Sequence, residues 1–163
     1  MTMTLTPSFD GALPPRGASR VTRALLDGVE RDVVLAYSIG GMHAVLGTLN
    51  ARTRFRITAL CPLESGPGAR VWVYDREDPR GQLDASLGEV CSIARLVVDG
   101  GAATRIAASH AGAAVRTTTG RLWGALLHYD LRLRTAAPLE CTILEHFGRT
   151  FAALFPGEIG AAS

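Results

Sequence analysis

The segment Ser109–Leu131 (SHAGAAVRTTTGRLWGALLHYDL) restricts the fold of this 163-residue chain more than any other segment. It contains two runs of β-strand character on either side of a turn at Thr119-Gly120, and no charged residue interrupts Leu122–Leu127. An uncharged run between turn signals is typical of a buried central strand. The segment therefore predicts two adjacent strands in the middle of a sheet.

The remaining elements follow from apolar residues at helical spacing and from alternating apolar and polar residues. We expect two helices over 18–50, with an N-cap at Ser19 and a bend at Gly40-Gly41. A hairpin of strands at 55–63 and 69–75 follows, and then a helix at Leu87–Val97. The last elements are a strand at 103–109, the two strands described above, and a helix from Pro138 to Phe155. Short turns between most strands favour antiparallel pairing. This order predicts an α+β fold: a mainly antiparallel sheet of five to six strands, with the N- and C-terminal helices on one face and the short helix on the other.

The length of the chain fits one domain with a substantial core. Residues 1–17 carry three prolines and two glycines, so we expect a disordered or loosely packed arm there. The single domain then covers 18–156, and a frayed tail is expected at 157–163.

Composition excludes several classes of function. Arginine supplies all 17 basic residues, but they are scattered and the net charge is only +2, which predicts no nucleic-acid partner. The chain is 47% hydrophobic, yet no uninterrupted apolar run reaches the roughly 20 residues that span a bilayer, so we expect no membrane partner. Three widely spaced cysteines and the absence of a signal-peptide pattern at the N-terminus indicate a reducing, cytoplasmic location.

Four short motifs occur in a familiar order: LNARTRFRIT at 49–58, VYDREDP at Val73–Pro79, EVCSI at Glu89–Ile93 and GRLWGALLHYD at Gly120–Asp130. Together they resemble the GAF family over about two thirds of the chain, from Gly41 to Phe155. The resemblance implies a sensory or regulatory module that is not an enzyme. It also implies that any small-molecule ligand lies between the sheet and the 87–97 helix.

The candidate ligand contacts are side chains with polar or reactive groups on the strands and helix that would border this pocket. They are Tyr74, Cys91, Arg105, His110 and His128. The Cys91 thiol, near a helix N-terminus, is a candidate for redox sensing, and a small buried apolar role explains it as well. The sequence identifies no cofactor.

The two candidate histidines fall on adjacent central strands. If they face one cavity, His110 and His128 can form a metal or haem site, or a pair that responds to pH. A one-residue change of strand register reverses the face of every side chain, so their relative orientation stays open, as do hydrogen-bonded structural roles. Asp130, two residues after His128, falls on the same face and is placed to orient its ring.

The family resemblance also includes an enzyme class, the free methionine-R-sulfoxide reductases, which need two cysteines in neighbouring pocket loops. Here the cysteines fall on the first strand, the short helix and the last helix, at Cys61, Cys91 and Cys141. That placement does not reproduce the enzyme pattern. The chain also lacks a glycine-rich phosphate loop and, having no lysine, lacks the cyclic-nucleotide signature of the family.

The first helix is too apolar for one face of a sheet to cover, because Leu25, Leu26 and Val33–Leu35 occupy more than one side of it. This predicts a homodimer through the N- and C-terminal helices, parallel or antiparallel.

A second interpretation of the function follows from the predicted pocket. GAF relatives carry a lid segment before the motif at Ser109–Ala114, and this chain does not, which favours a dimerising adaptor with a vestigial pocket.

Overall fold

The computed structural model describes residues 19–64, 69–80, 87–99 and 109–159. Over these residues the chain forms three helices and four strands. They are α1 (Arg20–Asn50), β1 (Ile57–Pro62), β2 (Trp72–Asp75), α2 (Leu87–Val98), β3 (Ser109–Arg116), β4 (Leu122–Asp130) and α3 (Pro138–Leu154).

The four strands form one antiparallel sheet in the order β2-β1-β4-β3. The predicted α+β class is therefore confirmed at this level, and β4 is a central strand as its uncharged run indicated. The described residues contain four strands where the sequence predicted five or six. The expected strand at 103–109 lies outside the described residues except for Ser109.

Helix α1 begins and bends where its sequence predicts. Ser19 caps it, since its hydroxyl accepts a hydrogen bond from the Thr22 backbone N–H at 3.2 Å. The axis breaks at Gly40 and Gly41, and Gly41 has φ 64° and ψ −158°, a conformation that residues with a side chain avoid. Within the described residues α1 alone is long and apolar enough to cross a membrane, a test that core helices of soluble proteins also pass.

Glycine permits two close approaches around β4 and β3. A Cβ on Gly124 would lie 2.0 Å from the backbone oxygen of Cys61 on β1. A Cβ on Gly112 would lie 2.8 Å from the Val97 side chain of α2. The first contact packs two strands tightly, and the second lets α2 lie directly on the sheet.

The sheet separates two hydrophobic clusters. On the α1/α3 face, Leu60, Leu126 and Val115 pack against α1 and α3; on the α2 face, Ile57 and Leu127 pack against α2. The N- and C-terminal helices thus share one face and the short helix covers the other, as predicted. Strand alternation assigns every sheet side chain to one of these faces.

The last helix continues into a packed turn. Beyond α3, Ile159 is 1% exposed within the core of the α1/α3 face, and the Tyr37 hydroxyl donates a 2.9 Å hydrogen bond to Glu158. The described part of the tail, 157–159, is therefore packed and differs from the frayed tail that the sequence predicted. The predicted arm at 1–17 and residues 160–163 lie outside the described residues.

Candidate functional site

The α2 face carries two buried polar groups that make no hydrogen bond of normal geometry. Tyr129 on β4 lies directly opposite His110 on β3, so both side chains point to the same face of the sheet. Among the described residues, the Tyr129 hydroxyl and the His110 Nδ1 are the buried side-chain atoms that make no hydrogen bond. Leaving such an atom unsatisfied costs roughly 1–3 kcal/mol, so this pair is where the sheet can accept a polar ligand group.

The walls around this pair are apolar. Tyr129 is 0% exposed and belongs to the same cluster as Val90, Ile93 and Ala94 of α2. Because these side chains exclude water, a hydrogen bond formed here is stronger than one at the surface. The site is therefore an apolar layer between α2 and the sheet, and the sheet contributes two hydrogen-bonding atoms to it, the Tyr129 hydroxyl and the His110 Nδ1.

Both polar groups are uncharged at neutral pH. Burial lowers the pKa of His110, which keeps its imidazole neutral. Burial raises the pKa of Tyr129, and the exposed Glu89 carboxylate in the first turn of α2, which lies within hydrogen-bonding reach of the phenol, raises it further. A neutral imidazole and a protonated phenol suit an uncharged hydrogen-bonding group better than an anion.

The structure also brings two cysteines together on this face. Cys61 on β1 is buried, and its thiol lies within hydrogen-bonding reach of the half-buried Cys91 on α2. Burial, followed by the influence of Cys91, raises the pKa of the Cys61 thiol. Cys141 is exposed on α3. Nothing in the spacing of the cysteines along the sequence indicated this contact.

The candidate contacts predicted from sequence do not form one site. Tyr74 and His128 both lie opposite Thr58, on β2 and β4 respectively, which places them on the α1/α3 face. Cys91 and His110 belong to the α2 face, and Arg105 lies outside the described residues. The prediction that Tyr74 and His128 line a pocket beneath α2 is therefore wrong, because pairing with Thr58 turns both side chains to the opposite face of the sheet.

His128 belongs to a buried hydrogen-bond network on the α1/α3 face. The Asn50 side-chain amide donates to the Thr58 hydroxyl at 2.9 Å, so that hydroxyl is free to donate its own proton to His128 Nδ1 at 2.8 Å. This assignment makes Nδ1 an acceptor and leaves the proton on Nε2. Burial lowers the pKa of His128 to about 4, so the ring is neutral at neutral pH.

The network continues through charged side chains. Arg76 donates from Nε to the Asn50 side-chain oxygen at 3.0 Å and from its terminal nitrogen to the backbone oxygens of Asn50 and Thr53. Glu140 at the start of α3 accepts from the Thr53 hydroxyl and from the backbone N–H groups of Arg54 and Ala137. Burial opposes ionisation of Glu140, but these hydrogen bonds outweigh it and lower its pKa.

Asp130 does not orient His128, contrary to the expectation from their spacing. Its carboxylate accepts from the backbone N–H groups of Arg56 and Arg132 and pairs with the Arg134 side chain. The two residues share a face, as predicted, but Asp130 lies at the end of the strand, where these backbone donors are closer. Thr58 orients the ring instead.

Sequence reasoning missed Tyr129 and Glu89 as site residues. Tyr129 alternates with Ala125 and Leu127 on the apolar face of β4, and a tyrosine in such a row is a detectable signal. Glu89 in the first turn of a helix gives no signal beyond ordinary helix-dipole pairing.

No group of three or more histidine, cysteine, aspartate or glutamate side chains in the described residues can hold a metal ion. Comparison with known proteins assigns no family: no family model, no curated protein and no solved structure matches the chain.

Proposed function

We propose that this protein is a GAF-like sensory or regulatory module, not an enzyme, that binds a small uncharged molecule between the sheet and α2. One observation carries the proposal: the unpartnered Tyr129 hydroxyl and His110 Nδ1, side by side on the α2 face. The polar side chains on the opposite face are hydrogen-bonded and stabilise the fold. On the α2 face, the Tyr129 hydroxyl has the exposed Glu89 carboxylate as its polar neighbour, and a bound molecule would give both atoms a direct hydrogen bond.

The chemistry of the site defines the ligand class. A neutral imidazole and a protonated phenol lie among apolar side chains. A compact apolar molecule with one hydroxyl, carbonyl or heteroaromatic nitrogen matches these groups, since it satisfies both atoms without burying a charge.

Binding at this place can be transmitted through the sheet. Helix α2 packs on β1, β3 and β4, and α1 and α3 pack on the other side of the same strands. A ligand that prefers one position of α2 shifts the packing of the helices opposite in proportion to its differential affinity. In the proposed homodimer that shift is the signal.

Native mass spectrometry of freshly purified protein tests the proposal. We expect a retained small molecule in the wild type, its loss in Tyr129→Phe, and its retention in the matched control Tyr74→Phe on the opposite face. If the wild type retains no molecule, a thermal-shift screen should find neutral hydrogen-bonding fragments that raise the melting temperature of the wild type and not that of Tyr129→Phe. The absence of both signals, or equal binding by the two variants, refutes ligand sensing.

A second candidate function is a dimerising adaptor without a ligand. The outer side of α1 favours it, because Leu35 and Ile39 are 61% and 79% exposed there. The two functions separate cleanly: a dimer with no ligand signal in either assay supports the adaptor.

A further inference from the structure

The exposed side of α1 carries a regular stripe. Helix α1 buries Val29 and Val33 against the core. On its outer side, residues alternately three and four apart form a seam, which we name the α1 seam: Val21, Ala24, Gly28, Arg31, Leu35 and Ser38. This is the spacing with which one helix packs along another in a coiled coil.

The two largest apolar side chains of the seam are accessible. Val21 is 78% exposed and Leu35 is 61% exposed, and Val34 and Ile39 beside the seam are 46% and 79% exposed. A groove of about 580 Å³ runs along this side, lined by Asp27, Glu30, Arg31, Val34, Leu35 and Ser38. From Val21 to Ile39 the helix is about 27 Å long, enough for several layers of contact with a second helix.

The order of side-chain sizes along the seam fits its own reverse. When two copies of α1 run antiparallel about a point between Gly28 and Arg31, Arg31 lies opposite Gly28 and Leu35 lies opposite Ala24. Each layer then pairs a large side chain with a small one. A Cβ on Gly28 would meet only the flexible end of Arg31, at 3.9 Å, so there is space for the partner's side chain.

The charges select the same orientation. Asp27 and Arg31 take part in none of the ion pairs recorded for the described residues. In the antiparallel arrangement Arg31 of each copy crosses Gly28 of the other and reaches the neighbouring Asp27, which forms two symmetric pairs. In a parallel arrangement Arg31 would face Arg31, and like charges would repel.

We infer that the α1 seam binds the α1 seam of a second copy of this chain, antiparallel, with Arg31 crossing Gly28 and pairing with Asp27. The inference depends on the homodimer within the proposed function and specifies its interface and direction. It does not depend on the ligand site, because the seam and the α2 face belong to different sides of the molecule.

Sedimentation velocity of the full chain is the first test. The wild type should sediment as a dimer at micromolar concentration, and Leu35→Asp should weaken association by at least about 100-fold, since it places an unpaired carboxylate in a closed layer. Leu133→Asp is the matched control, because Leu133 is 84% exposed outside the seam, and it should leave association unchanged.

Gly28→Leu separates the interface from the folding of α1. Leucine favours a helix over glycine by roughly 1 kcal/mol, so urea denaturation should show unchanged or greater stability of the protomer. The same substitution fills the space that Arg31 of the second copy needs, so the Kd of the dimer should rise at least about tenfold. If Gly28→Leu increases both the stability of the protomer and the affinity of the dimer, the inference is overturned.

Disulfide trapping tests the direction. With Cys91 and Cys141 replaced by serine, Ala24→Cys and Leu35→Cys proteins are made separately and then mixed under mild oxidation. The antiparallel seam predicts a covalent dimer mainly in the mixture. Efficient cross-linking of either variant with itself indicates a parallel pair and overturns the inference.

The remaining outcomes are equally decisive. A wild type that is monomeric at micromolar concentration refutes the seam and the homodimer together, while ligand binding can still be found. A dimer that Leu35→Asp does not weaken refutes the seam alone and leaves dimerisation through α3.

Discussion

The two faces of the sheet treat buried polar groups in opposite ways. On the α1/α3 face, Asn50, Thr58 and His128 form a continuous chain of hydrogen bonds that extends to Arg76 and Glu140. On the α2 face, the Tyr129 hydroxyl and the His110 Nδ1 have no hydrogen bond. A protein keeps an unsatisfied buried group at a cost to its stability, so the contrast separates the face that stabilises the fold from the face where we propose that a ligand binds.

The network also explains why the α1/α3 face is fixed. It joins the end of α1, the loop after it, strands β1 and β4, Arg76 directly after β2, and the start of α3, which are distant in sequence. Removing one member of the network leaves several other polar groups without a hydrogen bond. The measured loss of stability is then the sum of these separate costs. The α2 face contains no comparable linkage among the described residues.

The largest effect is expected at Asn50. Its side chain donates to the backbone oxygens of Phe55 and Arg56 and to Thr58, and accepts from Arg76. Asn50→Ala leaves these groups unpaired in a buried place and should lower the free energy of unfolding by about 3 kcal/mol. Urea denaturation monitored by circular dichroism measures it.

The control for this substitution is Thr142→Ala, which removes an exposed hydroxyl bonded to its own helix. It should cause no loss of stability. An Asn50→Ala variant as stable as this control would show that the network does not hold the α1/α3 face together.

The next effect is a dependence of stability on pH that His128 causes. Its folded pKa of about 4 is below the ordinary value of 6.5, so the unfolded state binds more protons between these values. Stability should therefore fall by about 2 kcal/mol between pH 6.5 and 4.5 and become constant with respect to this group above about pH 7.5.

His128→Asn tests the origin of that slope, because the asparagine oxygen can accept the Thr58 hydroxyl but does not titrate. Thermal unfolding of both proteins across pH 7 to 4.5 gives the comparison. His110, whose pKa is also lowered, contributes in the same direction and remains in both proteins. An unchanged slope in the variant would assign the pH dependence to other groups.

The smallest effect compares one hydroxyl from each face. Thr58→Val removes a hydroxyl with two partners and should cost about 1–2 kcal/mol. Tyr129→Phe removes a hydroxyl that makes no hydrogen bond of normal geometry and lies beside the exposed Glu89 carboxylate, so it should leave stability unchanged or raise it by up to about 1 kcal/mol. Chemical denaturation of the two variants, side by side, checks the sign; a destabilised Tyr129→Phe protein would remove the distinction between the faces.

Features that depend on neighbouring residues were predictable from sequence. Ser19 marks the start of α1, Gly40-Gly41 its bend, Gly120 the β3–β4 turn and Pro138 the start of α3, and the structure places each where the pattern indicates. Each position is set by capping, by a positive φ or by the missing N–H of proline. The uncharged run of β4 likewise identified a central strand.

The composition of the site was not predictable in the same way. Whether His110 and His128 share a face depends on how β3 pairs with β4, and a one-residue difference in register reverses the answer. The partnership of Thr53 with Glu140 joins residues far apart in the chain. Neither follows from local spacing, because both are consequences of tertiary packing.

The break in α1 lets one residue set the direction of the outer half of the helix. Gly41 has φ 64°, which an alanine there would resist. A straightened axis would swing residues 20–39 away from the body of the protein and separate Tyr37 from Glu158 and Glu30 from His146. The same swing would take Val29 and Val33 out of the hydrophobic core. The direction of the outer part of α1 and the completeness of the interior therefore depend on one glycine.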